Sequence, residues 1–137
     1  MIICRSIEDF LEKLKNNNMS ELDFDDSNKY KELVEYLTKN LNYDKDGFYA
    51  YVLGNCFYYG KGIEQDYEKA VYYYELAANQ GFAVAQNNLA ICFLKGEGVS
   101  QDLSKALEWV NKAIDNGFSY AKTLKDKIEK EILKSIK

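Results

Sequence analysis

Histidine is absent from the 137-residue chain, and so is proline. The first absence removes every mechanism that needs an imidazole base, and with it most zinc sites. The second leaves nothing that forbids helix continuation, which suits long uninterrupted helices. Cysteine is scarce, occurring at Cys4, Cys56 and Cys92. An odd number at wide spacing makes no disulfide framework, and reduced thiols are expected. No apolar run approaches the roughly 18 residues of a membrane span. The apolar start, Met1-Ile-Ile-Cys4, is too short for a signal-peptide core and has no basic stretch before it. A soluble, cytoplasmic protein is expected. Clustered cations are missing too. Lys and Arg number 18 against 22 Asp and Glu, a net charge of −4. Phosphate binding needs such clusters, so nucleic acid is not an expected partner.

What is present is a globular composition, 47% hydrophobic and 15% aromatic. The charge is unevenly spread. Residues 1–46 carry 7 basic and 11 acidic side chains, whereas residues 117–137 carry 6 and 3. Solvated helix faces account for most of that, although an acidic start would also steer a basic partner.

The strongest signal is internal repetition. At an offset of 36 residues, Leu53, Cys56, Phe57, Gly60, Gly62, Gln65, Asp66, Lys69, Ala70 and Ala77 all recur, as Leu89, Cys92, Phe93, Gly96, Gly98, Gln101, Asp102, Lys105, Ala106 and Ala113. A third copy begins at Gly117-Phe118, matching Gly81-Phe82, and then diverges. Such a period fits two helices and two turns. The first helix runs from Gly47 to Tyr59, and from Ala83 to Leu94 in the second copy. A Gly-x-Gly turn ends it. Asp66 and Asp102 are placed to cap the second helix. That helix should bury Ala70, Tyr73, Tyr74 and Ala77 in one copy, and Ala106, Trp109, Val110 and Ala113 in the other.

These residues resemble the Sel-one-like repeat (SLR), a relative of the tetratricopeptide repeat. The second copy carries the fuller pattern, from Ala83-x-Ala85-Gln86 through Leu89, Phe93, Gly96-x-Gly98, Asp102, Lys105-Ala106, Trp109 and Lys112-Ala113 to Gly117. Ala90 stands where the family usually has glycine, and the first copy lacks the Ala-x-Ala-Gln entry. The resemblance implies an all-α fold, a right-handed α/α solenoid of about seven helices. Repeats occupy 47–80 and 81–116, an N-terminal helical pair 1–46, and a capping helix 117–137, in one continuous domain. In the N-terminal pair, Ser6 and Asp9 form a capping box, with a stripe of Ile7, Phe10, Leu11 and Leu14. Asp25-Asp26-Ser27 caps a second helix striped by Tyr30, Leu33, Val34, Leu37 and Leu41. In the cap, Ala121, Leu124, Ile128, Ile132 and Ile136 form an apolar stripe with lysines off it. That stripe suits repeat capping better than membrane-surface binding.

Catalytic candidates fail one by one. The Gly-x-Gly turns follow helices, without the Lys-Ser/Thr of a phosphate loop. Cys56 and Cys92 fall on neighbouring helices about 8–10 Å apart, beyond the roughly 7 Å Cα limit for a disulfide. They read as small core residues. Some secreted relatives pair cysteines within each repeat and have been linked to penicillin binding; one cysteine per repeat argues against a β-lactam-binding role here. Glu21, Asp23, Asp25 and Asp26, like Asp44 and Asp46, sit in loop-like sequence and read as caps or solubilising charges. They lack the apolar pocket of an acid–base pair, and Asp44-x-Asp46-Gly47 does not continue into a calcium loop. No catalytic residue, cofactor or metal is expected.

Tyrosine is over-used: 12 in all, with eight between Tyr49 and Tyr74. The resemblance implies that each first helix lines a concave face. Subtracting packing positions leaves Phe48, Tyr51, Val52, Asn55 and Tyr59 in the first copy. The second supplies Val84, Asn87, Asn88, Ile91 and Lys95, and Tyr120 starts a third row. Such a mixture of aromatic, amide and apolar groups suits protein recognition. The expected function is therefore a non-catalytic adaptor or scaffold binding a protein partner, with an immunity protein that neutralises a bacterial toxin as the alternative. An enzyme comes third.

Overall fold

A computed structural model describes residues 27–136, together with Leu11, Glu12 and Lys15, which are helical. The capping box at Ser6, the acidic stretch 21–26 and Cys4 lie outside the described residues. Apart from those three residues, six α-helices and no strand occur among those described. They are α1 (Ser27–Lys39), α2 (Phe48–Tyr59), α3 (Tyr67–Asn79), α4 (Ala83–Lys95), α5 (Leu103–Asp115) and α6 (Ala121–Ile136), with a short 3-10 turn at Leu41–Tyr43. Each helix packs on the next, and α4 also meets α6. Two helical hairpins, α2–α3 and α4–α5, are thus stacked between α1 and α6.

The recurring residues build one turn twice. Gln65 donates its side-chain amide to the Tyr58 carbonyl, and Gln101 does so to Leu94 (2.7 and 2.8 Å). Orphan carbonyls at the end of the first helix are thereby satisfied. The next residue caps the second helix. Asp66 accepts from the Lys69 N–H at 3.1 Å, and Asp102 from Lys105 at 3.0 Å. The same two lysines bring their ammonium groups to 5.6 Å from the Phe57 and Phe93 rings. Gly62 and Gly98 have a further task. Both have positive φ, and a Cβ there would come within 2.3 Å of backbone atoms of Tyr30 and Tyr67. Only glycine lets the turn rest on the start of the preceding second helix.

That contact defines α1. It meets the turn of the first repeat as α3 meets the turn of the second. Leu33, Val34 and Leu37 are buried at the level where α3 buries Ala70, Val71 and Tyr74. So α1 stands where the second helix of a preceding hairpin would stand.

Volume is traded between the copies. A Cβ on Gly54 would lie 2.5 Å from Cδ1 of Tyr74. The corresponding pair in the second repeat is Ala90 and Val110, both fully buried in one cluster. The departure at Ala90 is thus matched by a smaller residue opposite the helix in sequence register.

Three expectations need correction. Tyr73 and Trp109 are only half-buried. Tyr73 lies flat on Phe57, with centroids 5.6 Å apart, and Lys112 sits 4.4 Å above the Trp109 ring. Each aromatic therefore roofs the core with one face and meets water with the other. Ile136 is 74% exposed, because it is the last residue of α6, which at 16 residues is longer than the 13-residue α5 it packs on. Leu41 closes α1 from the 3-10 turn, half-buried, and is not part of the helical stripe.

Candidate functional site

The predicted face divides into a covered part and an open part. Phe48, Val52 and Asn55 are buried, which contradicts their assignment to an open groove. Phe48 and Val52 belong to a cluster that includes Leu11 and the α1 leucines. The Lys15 ammonium lies 5.5 Å over the Phe48 ring, and Phe82 packs against it at 6.2 Å. Tyr51 is half-buried and stacks on Phe82 at 5.0 Å. Packing by Leu11, Lys15, α1 and Phe82 thus closes most of the first row.

Asn55 is the polar centre of that closed region. Its amide oxygen accepts from the Tyr74 hydroxyl at 2.5 Å and from the Asn88 amide at 3.4 Å. A further side-chain hydrogen bond joins it to Tyr51. Burial pushes both tyrosine hydroxyls up, so they remain neutral donors at physiological pH. A buried amide with this many partners orders α2, α3 and α4 relative to one another. The interaction therefore serves the fold, and Asn55 is not available to a ligand.

The open part belongs to the second copy. Val84, Asn87, Asn88 and Ile91 are half-buried, and Lys95 is exposed. Asn87 keeps its amide oxygen out of water with no donor among the described residues. Tyr59 is 60% exposed, and Tyr120 is 82% exposed beside Phe118. A cleft of about 150 Å³ brings together Tyr59, Asn88, Ile91 and Lys95 from the predicted set. Its remaining walls are Tyr58 and Tyr74, which sequence reasoning did not place there. Tyr58 aligns with Leu94 and reads as packing. Its hydroxyl in fact donates to Glu97 at 2.6 Å, tying the first repeat to the turn of the second. For Tyr74 the available signal was Gly54, a small residue that makes room for a large one.

Other chemical groups have structural uses. Asp44 accepts from the N–H groups of Gly47, Tyr49 and Ala50, and Asp46 from that of Phe48. The two carboxylates cap α2. Gln86, buried, donates to the Ala78 carbonyl and accepts from Asn116, joining the two hairpins. Cys56 and Cys92 are free and buried, and burial pushes each thiol up to about 12. At neutral pH they are inert thiols rather than nucleophiles.

Stacked helical hairpins with a small inter-repeat turn define an α-solenoid of the tetratricopeptide-like class. The Sel1 repeat model matches residues 48–82 and 83–118, and the chain belongs to that family. Solved structures agree. The chain resembles the protective antigen c5321 of uropathogenic Escherichia coli, which displays an SLR fold, at 28% identity and a TM-score of 0.71. The match covers 75% of this chain and 22% of that one. A Sel1 repeat protein of Oxalobacter formigenes matches at 29% identity and a TM-score of 0.64, over 70% of this chain and 38% of that one. Helicobacter pylori cysteine-rich protein B shares the fold at 21% identity and a TM-score of 0.67, over 89% and 93%. The chain thus spans well under half of the first two relatives. No curated protein matches it by sequence.

Proposed function

We propose that the chain is a protein-interaction module that holds a partner protein across its first-helix face, as an adaptor or scaffold, without chemistry of its own. One observation carries the reading. On α4, Asn88, Ile91 and Lys95 border a cleft beside Tyr59, although Val52 and Asn55, the α2 residues that match Asn88 and Ile91, are packed away. Aromatic, amide and apolar groups in that mixture favour protein recognition, because tyrosine supplies contact area with few rotors to freeze. Sel1 repeats are generally protein-interaction modules, which supports the same reading. The hairpins are ordered before binding by the Asn55 and Gln86 hydrogen bonds, so association costs little ordering entropy.

The test is affinity capture with the tagged chain beside a Tyr59→Ala/Lys95→Ala variant. Both side chains are exposed, so the variant's thermal melt should match the parent's. The reading expects a stoichiometric partner that the variant loses. A partner held equally by both forms overturns it. Several components of one complex would make the module an adaptor. A single basic enzyme, inhibited on binding, would make it an immunity protein.

A further inference from the structure

The cleft between α2 and α4 carries one formal charge in its lining, the ammonium of Lys95. Resting on the interaction reading above, we propose that this cleft takes a glutamate side chain from an extended segment of the partner. Its volume, about 150 Å³, is that of a cavity that holds one small ligand. It accommodates a single side chain and not a helix. The Tyr59 ring and Ile91 offer apolar walls for the methylenes. Lys95 and the Asn88 amide offer donors for the carboxylate.

The charge is available. Lys95 makes no ion pair among the described residues. The nearest carboxylate in sequence, Glu97, accepts from the Tyr58 hydroxyl and hydrogen-bonds to Tyr67. Nor is the negative end of α4 bare. The Cys92 carbonyl accepts from the Gly96 and Glu97 N–H groups, and that of Leu94 accepts from Gln101. Asn88 spends one N–H on a long 3.4 Å contact with Asn55. Among the described residues its second N–H has no partner, and it remains for a ligand. A basic side chain entering here would meet Lys95 at close range. An apolar one would desolvate the ammonium and the amide without replacing their hydrogen bonds. A neutral amide or hydroxyl could accept from both donors but would leave the ammonium's charge uncompensated, whereas a carboxylate accepts from both and pairs that charge.

A random peptide library displayed on phage tests this, selected in parallel on the parent chain and on Lys95→Glu. The parent should select an acidic residue at one shared position, and the charge-reversed chain a basic one. A synthetic peptide from the parent selection should lose about tenfold in affinity on Lys95→Gln, the size expected for a charge-assisted hydrogen bond. It should lose as much when its own glutamate becomes glutamine. A consensus without an acid, an affinity untouched by Lys95→Gln, or an empty selection overturns the proposal. Peptides insensitive to Lys95 but lost on Tyr59→Ala would overturn the glutamate assignment alone. Peptides insensitive to both would overturn the binding face as well.

Discussion

Replacing Gly54 by alanine should weaken the fold at a place where the two repeats can be compared directly. The new Cβ would lie 2.5 and 2.6 Å from two carbons of the Tyr74 ring. That ring is 2% exposed and its hydroxyl is bonded to Asn55, so it cannot swing away. Overpacking of this kind costs about 1–3 kcal/mol. Better helix propensity returns up to about 1 kcal/mol. The expected net loss is about 1–2 kcal/mol, a fall of several degrees in Tm for a chain of this size. Tyr74→Val alone should lose more, about 2–4 kcal/mol, through an emptied core and a lost bond to Asn55. The double variant recreates the Ala90/Val110 pair. It should be at least 1 kcal/mol more stable than the sum of the single losses. Urea denaturation followed by circular dichroism reads all four proteins. Strict additivity would refute the claim that Gly54 exists to seat Tyr74.

Asp66→Ala and Asp102→Ala should each cost about 1 kcal/mol in the same assay, since each removes one helix cap; a null effect from either would mean that the cap is replaced by water. Trp109→Ala should cost about 2 kcal/mol, below the roughly 3–5 of a fully buried aromatic, and a loss above 4 would put Trp109 inside the core. Cys56 and Cys92 should resist a thiol reagent at pH 8 in the native chain and react in urea. With thiols pushed up to about 12, about one in ten thousand is ionised at that pH; rapid native labelling would contradict their burial. The same shifts make stability pH-dependent. Both thiols ionise at about 9 when unfolded, so the native chain holds the extra protons between about 9 and 12. Stability should therefore be complete below pH 9 and fall as pH rises above it, with a flat profile over that window as the contrary result.

The repeat period made most of the fold legible. Glycines, caps and small core residues recur in register because each makes a local contact that both copies need: Gln65 to a carbonyl, Asp66 to an N–H, Gly62 against a backbone. The first two depend on near neighbours, and the third recurs because each turn rests on the second helix before it, so all three leave a mark in sequence. The candidate site was legible only in part. Equivalent positions on α2 and α4 share a direction but not a cover. Val52 and Asn88 align, yet one is closed by Leu11 and the α1 leucines and the other is open. What covers a first-helix row is decided by residues far away in the chain. Tyr74 shows a second limit. Gly54 marks the room made for its ring, but no residue pattern encodes the reach of its hydroxyl to Asn55 or the place of its ring behind the cleft.

The proposed function places the partner on the face that bears Tyr59. Site-specific photocrosslinking tests it most directly, with benzoylphenylalanine in place of Tyr59 or, in a second protein, of Tyr72. Both are exposed tyrosines, Tyr59 on α2 at the cleft and Tyr72 on α3 outside it. A discrete crosslinked species is expected in native lysate from position 59 and none from position 72. Crosslinking from position 72 alone, or equally from both, would contradict it.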